Sequence, residues 1–356
     1  MGTLMGAGMA EKQIVGDQER IFARDAVVCD LTLPWFYPFM VDVDVTLPRF
    51  HRAGVDFVSL TVNVPENSLA ATVRHISVVK AHIRSRADRM VFAASAEDIL
   101  AAKAGGRLAV GLHFQGTDAL DGALELVQTY YDLGVRHMLL AYNRKNAVGD
   151  GCAERTDGGL SRFGVALIAE MNRVGVLVDG SHTGYRTTME AMEACRGPFI
   201  FSHSNAHALV PHYRNIRDDQ IKACARSGGI IGINGINEFL GVATSTTDAL
   251  FRHVDYVSRL VGPEHVAIGL DYVKDAKAIT QWVQDNPELW PANNGVPMPA
   301  PDDAQPEQIV ELGNLMLARG YAENEVRGVL GENFLRVLRA ARATAARLGG
   351  QSADPP

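Results

Sequence analysis

The sequence predicts an α/β protein with a (β/α)8 architecture, a TIM barrel, with additional helices at its C-terminal end. Short apolar runs rich in β-forming residues recur eight times along the chain, and amphipathic stretches with helical periodicity lie between them. Glycines that would end a helix precede several of the apolar runs. Eight alternations of strand and helix imply parallel strands joined by right-handed crossovers, and eight is the number that closes a barrel.

The predicted elements follow one another in chain order. The strands are expected at residues 27–31, 57–62, 108–114, 137–141, 176–179, 198–202, 229–234 and 265–269. Helices between them are expected at stretches that include residues 119–133, 161–174, 187–194 and 218–227. The glycines that would end such helices are Gly54, Gly106, Gly134, Gly175, Gly197 and Gly262.

The segments outside this repeat differ in composition. Residues 275–305 contain two tryptophans and several prolines, which predicts a long irregular loop after the eighth strand. Three C-terminal helices are expected at 306–319, 324–330 and 333 to about 348. We therefore expect one domain over 21–348, a flexible segment over 1–20 and a disordered tail over 349–356.

Composition argues against several classes of partner. The chain has 356 residues and a formal net charge of -7 without a block of lysine or arginine, so no nucleic-acid or anionic-membrane partner is expected. No apolar stretch approaches the ~20 residues of a membrane span. Four scattered cysteines and a start without a basic n-region predict a cytoplasmic protein with reduced thiols.

Two histidines end consecutive predicted strands. Residues 176–182 read VLVDGSH and residues 198–203 read PFIFSH, so His182 and His203 are expected at the mouth where TIM barrels carry their chemistry. Neutral imidazoles on neighbouring strand ends can share one metal ion, although two satisfied core histidines remain the alternative. Asp271 ends the eighth strand at the same mouth and is the natural general base for a metal-bound water.

Further motifs extend over most of the chain. They are GLSRFG at 159–164, EMNR at 170–173, VDGSH at 178–182, FSHSNA at 201–206, RNIRDD at 214–219, HVAIGLD at 265–271 and GENFLRVL at 331–338. On these residues the chain resembles the membrane (renal) dipeptidase family, peptidase family M19, of the amidohydrolase superfamily. The resemblance implies a TIM barrel, often dimeric, that hydrolyses dipeptides with two zinc ions bridged by a glutamate and a hydroxide.

Four site residues carry over from this resemblance. His182 and His203 fall on the two histidines that hold one zinc ion, and Asp271 falls on the acid/base of the eighth strand. Arg214 falls on the arginine that pairs with the substrate carboxylate, a role suited to a planar guanidinium.

The other half of the family's site is substituted. Aligned on residues 33–34, Asp30 stands in place of the first-strand histidine and Thr32 in place of its aspartate. Gln115 replaces the bridging glutamate and Tyr142 replaces the fourth-strand histidine. Two zinc ions need several anionic ligands to offset their charge, so the resemblance with these substitutions predicts one divalent metal ion per chain rather than two.

The expected metal is zinc, held by His182 and His203 with Asp30 as the third ligand, or Asp271 in its place. Tyr142, Gln115 and His113 join Arg214 as the expected substrate-binding side chains. His113 lies two residues before Gln115 on one strand, so both face the barrel interior. Two further readings of His113 stay open: a metal ligand, or a buried histidine hydrogen-bonded to Asp30.

The function expected from these residues is metal-dependent hydrolysis of a dipeptide-like amide bond in a small substrate that carries a carboxylate, by a homodimer as is frequent in the family. Two alternatives stay open. One is a different enzyme on the same scaffold, such as another amide or lactone hydrolase, a decarboxylase or a lyase. The other is a non-catalytic pseudo-dipeptidase that keeps the pocket without the chemistry.

Overall fold

Nine parallel strands form the framework of the molecule in a computed structural model that describes residues 25–35, 42–65, 67–291 and 302–350. The strands are β1 Cys29–Pro34, β2 Phe57–Asn63, β3 Met90–Phe92, β4 Leu108–Phe114, β5 Val135–Leu139, β6 Leu177–Asp179, β7 Phe199–Phe201, β8 Ile230–Ile233 and β9 Val266–Ile268. They correspond to the eight predicted strands with one addition, β3.

The eight main strands are hydrogen-bonded in the order β1-β2-β4-β5-β6-β7-β8-β9. β3 is a three-residue strand that pairs with β4 alongside this path, and its shortness explains why the sequence pattern did not reveal it. Just beyond β9, the backbone N–H of Asp271 donates to the carbonyl of Thr32 at 3.1 Å. The path therefore closes on β1, which confirms the predicted TIM barrel.

Helices surround the barrel between the strands. They are Thr46–Arg52, Leu69–Arg84, Ala96–Ala104, Leu126–Asp132, Arg162–Val174, Tyr185–Ala194, Asp218–Arg226, Asn237–Leu240, Thr247–Val261, Ala276–Asp285, Glu307–Ala318, Glu323–Arg327 and Asn333–Gly350. Branched and aromatic side chains bury the outer face of the strands against them; Phe57 on β2, for example, packs on Phe334 of the last helix at 5.3 Å between ring centroids. No helix in the described parts of the chain is long and apolar enough to cross a bilayer.

The segment after β9 differs from the irregular loop that the sequence predicted. Residues 276–285 form a helix, because the Asp275 carboxylate accepts the backbone N–H groups of Lys277 and Ala278, both at 3.0 Å, as an N-cap. The last helix also runs to Gly350, into the predicted tail. Residues 292–301, the N-terminal segment expected at 1–20 and residues 351–356 lie outside the described residues.

Candidate active site at the C-terminal mouth of the barrel

Two imidazoles meet where β6 and β7 end. The Nε2 atoms of His182 and His203 lie 3.0 Å apart, and the two residues are 2% and 0% exposed. Burial, and after it the positive charge of Arg214, holds the pKa of both imidazoles well below the usual range. The structure thus brings the predicted pair together as neutral side chains, the protonation state that a metal ligand needs.

The outer nitrogens of this pair have fixed partners. Nδ1 of His182 lies 2.7 Å from Oδ1 of Asn143. An amide oxygen only accepts, so this nitrogen donates and the Nε2 atom of His182 carries the lone pair. Nδ1 of His203 lies 2.7 Å from the hydroxyl of Ser202 and 3.2 Å from that of Thr32. Such partners orient a ligating imidazole ring.

A buried carboxylate, Asp179 at the end of β6, joins the two strand ends. Its Oδ1 accepts the backbone N–H of Ser181 at 3.0 Å and of Ser202 at 3.1 Å, and its Oδ2 lies 3.1 Å from Nδ1 of His137. Ser181 in turn accepts the backbone N–H of His203 on its hydroxyl at 3.0 Å. Burial has the largest single effect and raises the pKa of Asp179. The hydrogen bond and charge of His137, with smaller effects of His203 and Ser202, together outweigh burial and keep this pKa below the usual value.

A second layer of polar side chains lies inside the barrel. His113 stacks on His137 with ring centroids 4.4 Å apart and an interplanar angle of 6°. Its Nδ1 contacts the Ser59 hydroxyl at 3.0 Å and its Nε2 contacts the Thr61 hydroxyl at 2.9 Å. Gln115 donates its amide N–H to the same Thr61 hydroxyl at 3.1 Å. Both nitrogens of His113 are therefore engaged by hydroxyl groups.

Asp30 faces the seam between β1 and β9. Its Oδ1 accepts the backbone N–H of Leu270 at 2.9 Å and of Thr32 at 3.3 Å, whereas its buried Oδ2 has no hydrogen-bond partner among the described residues. Burial raises the pKa of Asp30 to about 7 against the effect of those two N–H groups. The hydrogen bond considered between Asp30 and His113 does not form, because the two hydroxyls on β2 take both imidazole nitrogens.

Asp271 and Arg214 complete the mouth. The carboxylate of Asp271 accepts the side-chain amide of Asn234 at 3.2 Å, and burial raises the pKa of Asp271 to about 6 against the effect of Arg214. Arg214 is 2% exposed and donates one Nη2 hydrogen to the carbonyl of His203 at 3.3 Å. Its Nε atom is buried without an acceptor in the described part of the chain.

Aromatic rings cover the face of the histidine pair. Tyr142 stacks on His182 with 4.0 Å between ring centroids and an angle of 18°. Trp290 stands nearly perpendicular to both rings, 5.9 Å from Tyr142 and 5.7 Å from His182. Asn143 donates its side-chain amide to the carbonyl of Leu289 at 2.8 Å, which fixes the chain next to the tryptophan. Tyr142 therefore occupies one face of a candidate metal ligand.

Backbone strain is concentrated at the same mouth. Of the four non-glycine residues with positive φ in the described chain, three are Asn143 at 58°, His182 at 63° and Asp271 at 59°. A left-handed backbone conformation is unfavourable for residues with a Cβ atom. Such residues are found mainly at functional sites, where the surrounding structure holds the conformation. All three strained residues place a side chain on the candidate site.

The spacing of the histidine pair is compatible with two ligands of one metal ion. Two imidazole ligands at about 2.0–2.1 Å from a tetrahedral ion lie about 3.3 Å apart, close to the spacing of His182 and His203. Gln115 and Thr32, which the resemblance aligned with two carboxylate ligands, are neutral side chains. No cluster of three or more histidine, cysteine, aspartate or glutamate side chains within the described ranges is arranged to hold a metal.

Three residues near this mouth were not among the site residues predicted from the sequence. Asp179 lies within the VDGSH motif three residues before His182, so its position on a strand end was the available signal. Trp290 was visible as a tryptophan in the segment after β9. Asp303 is 6% exposed, and burial, followed by the charge of Asp271, raises its pKa to about 8. No sequence pattern placed Asp303 near the mouth.

Comparison with known proteins agrees with this architecture. The model of the family "Membrane dipeptidase (Peptidase family M19)" matches residues 37–289. An uncharacterized dipeptidase of Schizosaccharomyces pombe is 29% identical over 326 residues, 86% of this chain and 73% of that protein. Dipeptidase aclJ of Aspergillus oryzae is 31% identical over 314 residues, 83% and 69% of the two chains. An amidohydrolase from Pseudomonas aeruginosa superposes with a TM-score of 0.81 at 30% identity, covering 91% of this chain and 98% of its own.

Proposed function

The chain belongs to the membrane dipeptidase family, peptidase family M19, and from that premise we propose that it hydrolyses an amide bond in a small, dipeptide-like substrate that carries a carboxylate. The observation that carries the proposal is the approach of His182 and His203 to 3.0 Å at a mouth that also holds Asp271 and Arg214. The family match shows a dipeptidase-like hydrolase. The identity of the substrate and the composition of the metal site belong to the proposal.

One divalent metal ion per chain, zinc by family resemblance, would be held by His182 and His203, with Asp30 or Asp271 as the third ligand. Such an ion polarises a carbonyl and lowers the pKa of water. Asp30 is proposed because its buried Oδ2 has no hydrogen-bond partner in the described residues. Its carboxylate would have to move toward the histidine pair when the ion binds, since the described residues hold no ready cluster of three ligands. Buried carboxylate oxygens need a cation, a hydrogen-bond donor or a proton.

Asp271 is the proposed acid/base. Above its pKa of about 6 the carboxylate accepts a proton from the attacking water, and it then donates that proton to the leaving amine nitrogen. Asn234 donates a hydrogen bond to Oδ2 of Asp271 and so orients the carboxylate toward the mouth. A carboxyl group with a pKa close to the working pH performs both steps, since it gains and loses a proton readily.

Arg214 is the proposed binding site for the substrate carboxylate, with Tyr142, Gln115 and His113 as further substrate-binding residues. The guanidinium of Arg214 is buried, and its Nε–H has no acceptor in the described structure. Gln115 and His113 both form a hydrogen bond with the Thr61 hydroxyl. Their proposed role is therefore to line the inner wall of the substrate pocket. The expected homodimer and cytoplasmic location stay predictions.

The test is a hydrolysis assay on protein loaded with zinc, manganese or cobalt, using a panel of dipeptides and the matched dipeptide amides in which the carboxylate is blocked. We expect cleavage of dipeptides and a loss of at least tenfold in kcat/KM for the amides, because a hydrogen bond to a charged group contributes about 1.5–3 kcal/mol. Arg214→Met should remove this preference for the free carboxylate. Absence of amide hydrolysis at every metal would overturn the proposal.

A second candidate, a non-peptidase enzyme, is supported by the substituted half of the site. Tyr142 stacks on His182 at 4.0 Å where the family carries a histidine, and Gln115 stands where it carries the bridging glutamate. These changes alter the charge around the reacting carbonyl. N-acyl amino acids, lactones and small carboxylic acids in the same panel distinguish another amide hydrolase, a lactonase and a decarboxylase from a dipeptidase.

A further inference from the structure

Residues 286–291, which we call the strap, cross the mouth of the barrel after the helix Ala276–Asp285. The carbonyl of Leu289 accepts the side-chain amide of Asn143 at 2.8 Å, and the carbonyl of Pro291 accepts the hydroxyl of Tyr213 at 3.2 Å. Trp290 lies between these two anchors. Its ring is thereby held from both sides at 5.7 Å from that of His182.

Two buried N–H groups on side chains that contact the histidine pair lack an acceptor within the residues that the structure describes. They are Nε1 of Trp290 and Nε of Arg214. A buried donor without a partner costs about 1–3 kcal/mol, so native proteins carry few of them, mainly where a ligand or water completes the hydrogen bond. Two such donors in one mouth indicate a place for an acceptor.

Both donors belong to side chains that pack around Phe239. The guanidinium carbon of Arg214 lies 5.2 Å from the centre of the Phe239 ring, and the Trp290 ring lies 6.5 Å from it at an interplanar angle of 9°. Trp290 also contacts the rings of Tyr142 and His182. The two side chains that carry the unpartnered donors therefore lie against the same ring, Phe239, and Trp290 also lies against His182.

We propose that Trp290 is a substrate-binding, specificity-determining residue, and that its indole N–H and Arg214 Nε–H together bind the carboxylate of the substrate. The proposal rests on the proposed function for the identity of this carboxylate as part of the substrate. A carboxylate offers two acceptor oxygens, which matches one donor from each side chain. Both donor atoms are buried, and hydrogen bonds are stronger in such a low-dielectric environment.

The test compares Trp290→Phe with Trp282→Phe. Phenylalanine keeps an aromatic ring and removes the N–H group. Trp282 is the matched control because it lies on the adjoining helix and its ring packs 6.5 Å from that of Trp290. We expect Trp290→Phe to raise KM for a cleaved dipeptide about tenfold with kcat within about threefold, and Trp282→Phe to leave both near the wild-type values. Equal effects of the two substitutions would overturn the proposal.

Binding without turnover separates failure of this proposal from failure of the proposed function. The probes are N-acetyl-L-alanine and its amide, titrated calorimetrically into the metal-loaded protein. Trp290→Phe should weaken binding of the acid about tenfold and leave binding of the amide unchanged, whether or not dipeptides are cleaved. The melting temperature of the free variant should equal or exceed that of the wild type, since a buried donor without a partner is removed. Unchanged binding of the acid would contradict the proposal.

Discussion

Asn143 holds the imidazole of His182 through a hydrogen bond of 2.7 Å between Oδ1 and Nδ1. The same side chain donates its amide to the carbonyl of Leu289 at 2.8 Å, so one residue links the histidine pair to the strap. Its φ of 58° places Asn143 in left-handed backbone, which asparagine tolerates better than most residues. The contact determines which nitrogen of His182 is available to a metal.

Replacing Asn143 by glycine should weaken metal binding by about 10–100-fold, the usual effect of losing a partner of a ligating histidine. Glycine is chosen because it adopts positive φ without strain, so the loss of metal affinity reports the loss of the asparagine side chain. Affinity is measured by competition with a chelator. The control is Asp121→Gly, which relieves another left-handed residue, φ 48°, whose side chain is exposed, and should leave affinity unchanged. Wild-type affinity in the Asn143 variant would show that the hydrogen bond does not orient the ligand.

The pH dependence of hydrolysis should follow Asp271. A general base acts when ionised, and burial raises the pKa of Asp271 to about 6 in spite of Arg214, so kcat/KM should fall below about pH 6 with a slope of one proton. Asp271→Asn should lower kcat by about 10²–10⁴-fold.

The hydrogen bond from Asn234 allows a second test that Asp271 is the group that titrates in this pH profile. Its amide donates to Oδ2 of Asp271 at 3.2 Å and favours the ionised form. Removing the donor in Asn234→Ala should therefore move the acidic limb of the profile to higher pH. A limb that stays in place would mean that another group titrates.

Stability should also depend on pH through Asp303. Burial, and after it the charge of Asp271, raises the pKa of Asp303 to about 8 in the folded state, whereas an unfolded aspartate titrates near its usual value of about 4. The folded state thus binds more protons between pH 4 and pH 8, and stability falls as the pH rises through that window. Asp303→Asn abolishes this titration, so its stability should gain on that of the wild type by about 1 kcal/mol for each pH unit between pH 5 and pH 8, roughly 2 °C in melting temperature per unit.

The exposed neighbour Asp302 provides the control for that measurement. Asp302→Asn should keep the wild-type pH dependence of the melting temperature, because its carboxylate is solvated. If Asp303→Asn and Asp302→Asn melt alike at every pH, Asp303 is not the buried acid of the folded state.

Much of the fold was accessible from the sequence because parallel barrel strands are buried on both faces and so appear as apolar runs ended by polar residues. This pattern located His182, His203 and Asp271 at one mouth, and the structure brings the two histidines into contact. The helix at Ala276–Asp285 was not predicted, because the prolines that follow it dominated the composition of that segment.

The supporting contacts could not be predicted from the sequence, since they join distant strands. His113 contacts Ser59 and Thr61 rather than Asp30, and that choice depends on the register between β2 and β4. Asp179 links β6 to β7 through backbone N–H groups, which no residue pattern records. The residue types at the strand ends therefore predicted the chemistry of the site. The contacts that position those residues could be found only from the three-dimensional structure.

The most direct test of a single-metal hydrolase is elemental analysis of the purified protein, in moles of metal per chain, for the wild type and for the double variant His182→Ala/His203→Ala. We predict about one divalent ion per wild-type chain after incubation with zinc, and none in the double variant. Two ions per chain would contradict the single-metal site. A wild-type chain that binds no metal after incubation with zinc, manganese or cobalt would contradict the metal-dependent mechanism altogether.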